Sequence, residues 1–390
     1  MLSSHQIHRN HNVYILGAGF SCDAGLPVVR DFLNRMRDNI EWLHNEKREE
    51  EAKAVERIIQ FRLEAAAAAY RAHVNIENIE ELFSLASAWK GNELTNQMTT
   101  AIAATLDYAK LTTPEPSFRI LIDSPPAEVP KLWQRIQGDS SGTGNQSPHR
   151  FPYRAPFYQL YSGLLSGKLC LPASDMENTI ITFNYDTILE DSLRDMDVPV
   201  DYKLPSSEED KNSQNETASR ESSALPLRVL KLHGSVNWGT PRDNNTEQIT
   251  VYKNYSELRE EGAKVVLVPP TWRKVFGGAF TNIWDTALEA LSSATRIILI
   301  GFSIPPTDMH FKYLLAAGLC SNVSLRQIAI INPAARNTKE NLFKTLREEL
   351  ADQITITSAE CDIRNAVPDN SILYRIGRKY LPEYNEISAI

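Results

Sequence analysis

Short apolar runs recur along the chain, and nearly every one ends in a small or polar cluster. Val13–Leu16 runs into Gly17-Ala18-Gly19, and Thr179–Phe183 into Asn184-Tyr185-Asp186. Arg228–Leu232 leads to His233-Gly234, Lys264–Val268 to Pro269-Pro270, Thr295–Ile300 to Gly301-Phe302-Ser303, and Gln327–Ile331 to Asn332-Pro333. Ile354–Thr357 reads as a last strand. Runs of this length, bounded by glycine, proline or asparagine, are the pattern of buried strands. Helical periodicity fills much of the sequence between them, for example Asn337–Leu350. The alternation predicts an α/β protein on a Rossmann-like parallel sheet. Such sheets bind ligands outside the carboxyl ends of their strands. The clusters that end the runs are therefore the expected site.

Residues 31–110 predict a large helical insertion between the first and second strands. His44–Arg57 is a charge run that feeds an apolar stripe of Val55, Ile58, Ile59, Leu63 and Ala66. It reads as a solvated face over a core stripe. Ala65–Ala69 is a strong helix former. Asn78, with Glu81 after it, predicts a capping box ahead of Leu82, Phe83 and Ala86. Residues 112–156 form a Pro/Gly/Ser-rich connection, and 205–224 a solvated, flexible loop. Tyr153, Phe157, Tyr158 and Tyr161 follow the prolines and either pack a core edge or border a nucleotide pocket. The chain, 1–390, reads as a single domain with these insertions.

A formal charge of -8 argues against a surface that coats nucleic acid. Cys22, Cys170, Cys320 and Cys361 lie far apart and suggest neither a disulfide framework nor a zinc site. No run approaches the ~20 apolar residues of a spanning helix. The polar start, Met1–Asn12, has no apolar signal core. A cytoplasmic protein without a membrane segment is expected.

Gly17-x-Gly19 followed by Gly25 departs from the dinucleotide fingerprint, whose third glycine comes three residues after the second. Glycines there let the backbone approach an anion, and Ser21 is placed to donate to a phosphate. Asn184, at a strand end, can hold a ribose hydroxyl or a water without titrating. Asp186 either caps the next helix or meets an amide ligand. His233 follows a strand and precedes a glycine, a position suited to a general base. His310 reads as structural. No metal set, nucleophile elbow or Walker lysine is present.

Taken in order, these pieces resemble the sirtuin (silent information regulator) family. Gly17-Ala18-Gly19-Phe20-Ser21 with Gly25-Leu26-Pro27 is similar to its first NAD loop. Thr182-Phe183-Asn184-Tyr185-Asp186 resembles its Thr-x-Asn-x-Asp segment, and His233-Gly234 its catalytic His-Gly. Gly301-Phe302-Ser303 resembles its phosphate and ribose contact, and Ile331-Asn332 its adenosine-side Ile-Asn. There are also departures. The stretch from 234 to 319 has no cysteine, so a zinc-ribbon subdomain is not expected. Val28-Val29 stands where the family carries an acidic residue and the aromatic that shields departing nicotinamide.

That pattern is similar to bacterial sirtuin-like effectors of antiphage defence. The resemblance implies a NAD+ glycohydrolase that yields nicotinamide and ADP-ribose without a metal, with NAD+ as substrate. It assigns Asn184, His233 and Asp186 to catalysis. It assigns Gly17, Ala18, Gly19, Phe20, Ser21, Gly301, Ser303 and Asn332 to nucleotide binding. It implies a homo-oligomer gated by assembly or by a HerA-type ATPase partner, with a short Argonaute system as the other candidate. A protein deacylase or ADP-ribosyltransferase, and a non-catalytic module that senses NAD or ADP-ribose, are the alternative readings.

Overall fold

The computed structural model describes residues 10–90, 94–113, 157–167, 176–205, 226–241, 248–271, 278–305 and 308–360. The connection expected at 112–156 lies almost wholly outside the described residues, as does the loop expected at 205–224.

Seven parallel strands form the main sheet in the order β10-β9-β8-β1-β2-β4-β3. They are β1 Asn10–Leu16, β2 Met176–Thr182, β3 Val200–Asp201, β4 Leu227–Lys231, β8 Arg296–Ile300, β9 Gln327–Asn332 and β10 Thr355–Glu360. Alternation along the strands sorts the side chains into two cores. Tyr14, Leu16, Ile180, Val229, Ile298 and Ile300 face one side and pack with the helices between 32 and 112. Val13, Ile15, Ile181, Leu230, Ile297 and Leu299 face the other, over helices Ala279–Ser293, Met309–Leu319 and Ala335–Thr345. With both faces covered, each strand is a near-continuous apolar run.

Register aligns the carboxyl ends. Leu16 lies beside Thr182 and Ile300, Thr182 beside Lys231, and Ile300 beside Ile331. From β1 the chain moves to β2 on one side, and from β8 to β9 on the other. The order of connections therefore reverses between β1 and β8. That reversal is where an open parallel sheet leaves a crevice for a ligand.

One expectation needs correction. Lys264–Leu267 (β7) is not in the parallel sheet; it pairs antiparallel with β5, Gly234–Thr240, which also pairs with β6, Thr250–Val251. A short apolar run specifies burial but not the direction of its partner. This small sheet follows directly on His233.

Between β1 and β2 stand helices Phe32–Asn45, Glu49–Arg71, Ile79–Lys90 and Thr95–Thr112. The buried face of the second is Ala52, Val55, Ile58, Phe61 and Ala65, rotated from the expected stripe; Leu63 is 66% exposed. The acidic first turn continues inward through Glu51. Arg48 Nη1 donates to Asp107 at 2.6 Å, and Arg48 Nε donates to Glu51 at 2.6 Å. The Arg48 guanidinium also lies over the Trp42 and Tyr255 rings. Asn78 caps its helix, accepting from Glu80 N at 2.8 Å and Glu81 N at 3.3 Å. The reciprocal half of the box is displaced: Glu81 accepts from Asn75 N at 2.7 Å.

Candidate functional site

The β1 and β8 ends meet glycine to glycine. Gly17 N donates to Ile300 O at 3.1 Å, and Gly19 N to Gly301 O at 2.9 Å. A Cβ on Gly17 would fall 2.7 Å from Gly301 O, and one on Gly19 2.8 Å from the same atom. Gly301 has φ 62, and a Cβ there would strike the backbone of Gly19 and Phe20. These glycines thus serve the approach of two backbones, with Gly17, Gly19 and Phe20 amides bonded to protein carbonyls. Phe20 is buried behind the loop between Tyr158 and Tyr161, edge-to-face at 5.4 and 5.6 Å, and its carbonyl accepts from Tyr158 Oη at 2.6 Å. The two tyrosines take the core-edge role of the pair of readings open in the sequence.

The β2 end turns toward the same loop. Asn184 Nδ2 donates to Gly17 O at 2.9 Å and lies 3.3 Å from Ser21 Oγ, while Ser21 Oγ donates to Asp186 Oδ1 at 2.9 Å. Asn184 and Asp186, two residues apart, thus converge on one hydroxyl. Ser21 is 1% exposed, so its hydroxyl links the two loops and is not turned outward. Asp186 Oδ1 also accepts from Ile188 N at 3.0 Å, capping the following helix, Ile188–Asp195. Asp186 is 8% exposed; Asn184 is half-buried.

Beneath this turn lie two buried groups that apolar patterning passes over. Lys231, the last residue of β4, donates from Nζ to the Asp186 carbonyl oxygen and to Glu190 Oε1, the latter at 2.6 Å. The two side chains are 1% and 4% exposed. Burial raises the Glu190 carboxyl above its usual range, and the Lys231 ammonium opposes that rise. From the helical side, Lys110 Nζ donates to Thr187 Oγ1 at 2.7 Å and pairs with Asp191 at 2.5 Å.

His233 follows β4 and is 5% exposed. Its ring stands edge-on to Phe183 at 5.2 Å and tilted to Tyr185 at 6.0 Å. Phe183 stacks on Phe302 at 5.1 Å, which carries the aromatic wall across to β8. His233 O accepts from Val268 N at 2.8 Å, and Tyr185 Oη donates to Val268 O at 2.7 Å. The small sheet therefore holds the histidine's backbone. Gly234, at φ 80, makes the sharp entry into β5.

On the far side, Gly301 N donates to Ile331 O at 2.9 Å, bringing Asn332 next to the crevice. Asn332 Oδ1 accepts from Ala334 N at 2.8 Å. Ser303 is exposed, and Ile304 beside it has φ 49, an outlier for a β-branched residue. Gly17 to Ser21, Asn184, Asp186, His233, Gly301, Ser303 and Asn332 thus all lie along one sheet edge. Among the described residues no group of His, Cys, Asp and Glu is arranged to hold a metal. A cavity of about 430 Å³, lined by Arg48, Glu51, Thr99, Tyr255, Arg259 and Lys264 among others, includes none of these strand-end residues. No helix of the described residues is long and apolar enough to cross a membrane.

Comparison with curated proteins gives no match. Solved structures that align along most of the chain include a Sir2 homolog–NAD complex, 13% identical with a TM-score of 0.40, covering 96% of this chain and 92% of that one. A Sir2 homologue mutant–ADP ribose complex is 14% identical with a TM-score of 0.40, covering 98% of each chain. Sir2 bound to acetylated peptide is 12% identical with a TM-score of 0.33, covering 96% of this chain and 93% of that one. Residues 178–351 match the family model described as SIR2-like domain, a span that holds Asn184, Asp186, His233, Gly301, Ser303 and Asn332.

Proposed function

We propose that this protein is a NAD+ glycohydrolase, with NAD+ as substrate at the shared edge of β1, β2, β4, β8 and β9. The observation that carries the reading is the convergence of Asn184 and Asp186 on Ser21 in the loop after β1, with His233 at the next strand end. The SIR2-like domain match over 178–351 supports a nucleotide of this class.

Water cleaves NAD+ to nicotinamide, ADP-ribose and a proton. The C1′–N bond breaks with its electron pair leaving on nicotinamide, which neutralises the pyridinium, and the transition state resembles an oxocarbenium ion. In this reading Asn184 orients the ribose or the attacking water. Asp186 contacts the carboxamide, and His233 takes a proton from a ribose hydroxyl or the water. The buried, hydrogen-bonded strand ends hold these groups before substrate arrives, which is where positioning contributes most.

The setting is antiphage defence, with activation by assembly or a HerA-type ATPase. That part rests on the sequence resemblance and on the departures at Val28-Val29.

The test is NAD+ consumption by purified protein, alone and with a candidate ATPase. Asn184→Ala and His233→Ala are each expected to lower turnover by about a hundredfold or more. Full turnover in both variants would overturn the site. NAD+ left intact while an acyl-peptide is deacylated would replace hydrolysis with protein deacylation.

A further inference from the structure

Lys231 and Glu190 form a charged pair with almost no solvent access, 1% and 4% exposed. Burying two charges carries a desolvation penalty that their attraction often only offsets, and a well-packed apolar pair of the same volume is commonly as stable. Stability alone is a weak account of this pair. Its geometry offers another. Lys231 Nζ bonds to two acceptors, the Glu190 carboxylate and the main-chain oxygen of Asp186. That oxygen belongs to the bend that must aim Asn184 at Gly17 O and Asp186 Oδ1 at Ser21 together. The neighbouring peptide is fixed separately, with Tyr185 O accepting from Val236 N at 2.9 Å. Of these contacts, only the lysine reaches the Asp186 carbonyl from inside the fold.

We propose that Lys231, held by Glu190, is a positioning residue that fixes the Asp186 peptide and so sets the aim of Asn184 and Asp186 toward the nucleotide. The inference rests on the nucleotide-site reading given above. Lys231 does not touch substrate; it acts through the bend. Glu190 fixes where the ammonium sits. Glu190→Gln keeps an acceptor oxygen for the lysine but removes its counter-charge, whereas Lys231→Met removes the donor.

The experiment compares full-length wild type with Lys231→Met/Glu190→Leu, Glu190→Gln and Asn184→Ala. It reads melting temperature, amide hydrogen exchange over residues 184–188, ADP-ribose binding, and kcat and KM for NAD+. The double variant is expected to melt within about 5 °C of wild type, since the pair is replaced by apolar groups of similar size. Its 184–188 amides are expected to exchange roughly tenfold faster, and kcat/KM to fall by roughly tenfold or more, as misplacement of reacting groups does. Glu190→Gln leaves the buried ammonium without its counter-charge, so it is expected to lower the melting temperature and to show part of both changes. Wild-type exchange at 184–188 in the double variant overturns the clamp, whatever the activity. So does wild-type kcat and KM in an enzyme that Asn184→Ala inactivates. Faster exchange without any NAD+ turnover or ADP-ribose binding in wild type would uphold the clamp on the bend and overturn the nucleotide reading instead. If the double variant unfolds, Glu190→Gln decides. Faster exchange at 184–188 with lowered kcat/KM in the folded protein then upholds the clamp, and wild-type exchange with wild-type activity overturns it.

Discussion

Ser21 and Asp186, 165 residues apart, are joined by a 2.9 Å hydrogen bond that fastens the β1 loop to the β2 turn. The bond is buried and its acceptor is a carboxylate, so losing it should be felt. Ser21→Ala is expected to lower unfolding free energy by about 2 kcal/mol, in the range for hydrogen bonds to charged groups. Urea denaturation measures it. A loss below the error of the fit would show that the bond contributes nothing net.

The glycine contact between the two central strand ends makes a sharper forecast. Gly262 and Gly301 both have positive φ, 66 and 62, but a Cβ on Gly262 meets nothing within 4 Å, while one on Gly301 enters the Gly19–Phe20 backbone. Gly262→Ala should cost about 1 kcal/mol, the left-handed penalty alone. Gly301→Ala should cost at least about 2 kcal/mol more, through overpacking. Equal losses in the two variants would mean that the contact can relax freely.

Arg48 lies between Glu51 and Asp107, with side-chain exposures of 3%, 8% and 6%. Removing the cation leaves buried carboxylates uncompensated, so Arg48→Met should destabilise the protein by about 3–5 kcal/mol at neutral pH. Burial already raises the Asp107 carboxyl above its usual value against the pull of Arg48. Without the arginine it should take a proton more readily, and the deficit should shrink as pH falls. Melting curves at several pH values read this directly; a deficit independent of pH would be evidence against it.

His11 is buried, with Nδ1 2.9 Å from Ser293 Oγ and Nε2 3.0 Å from Thr179 Oγ1. Burial holds its pKa below the ordinary histidine value of 6.5; Glu177 opposes that shift and Arg228 adds to it. The unfolded chain therefore binds the proton first. The stability tied to the neutral ring is present above about pH 6.5 and is lost as pH falls through the folded value. His11→Gln should flatten the drop in melting temperature between about pH 7.5 and pH 5. An unchanged slope would place the acid sensitivity elsewhere.

The parallel sheet could be read from the sequence because its strands are covered on both faces. Val13–Leu16, Thr179–Ile181 and Ile297–Ile300 are therefore apolar without alternation, and the polar cluster after each marks an end. The register then places Gly17, Gly301 and Asn332 side by side, which the order of motifs suggested. The small sheet was harder. Gly234–Thr240 carries only Val236 and Trp238 as large apolar residues, and Lys264–Leu267 shows burial without showing its partner. The buried stripe on Glu49–Arg71 is rotated from the expected one because Leu63 resembles core by type, whereas Phe61 and Ala65 are the buried positions. Lys231 and Glu190 escape apolar patterning for a related reason. Each reads as a surface charge alone, and only the fold reveals that the two meet across 41 positions.

The helix Thr95–Thr112 ends against the segments that follow Ser21 and Asp186. A Cβ on Gly25 would overlap Thr113, and Lys110 reaches Thr187 and Asp191. The helix thus ties the β1 loop and the β2 turn to the helical layer through its last turn. The neighbouring helices Glu49–Arg71 and Ile79–Lys90 expose Leu63, Tyr70 and Trp89. Lys110→Ala is expected to loosen the β2 turn from the helical layer, read as faster amide exchange at residues 187–191.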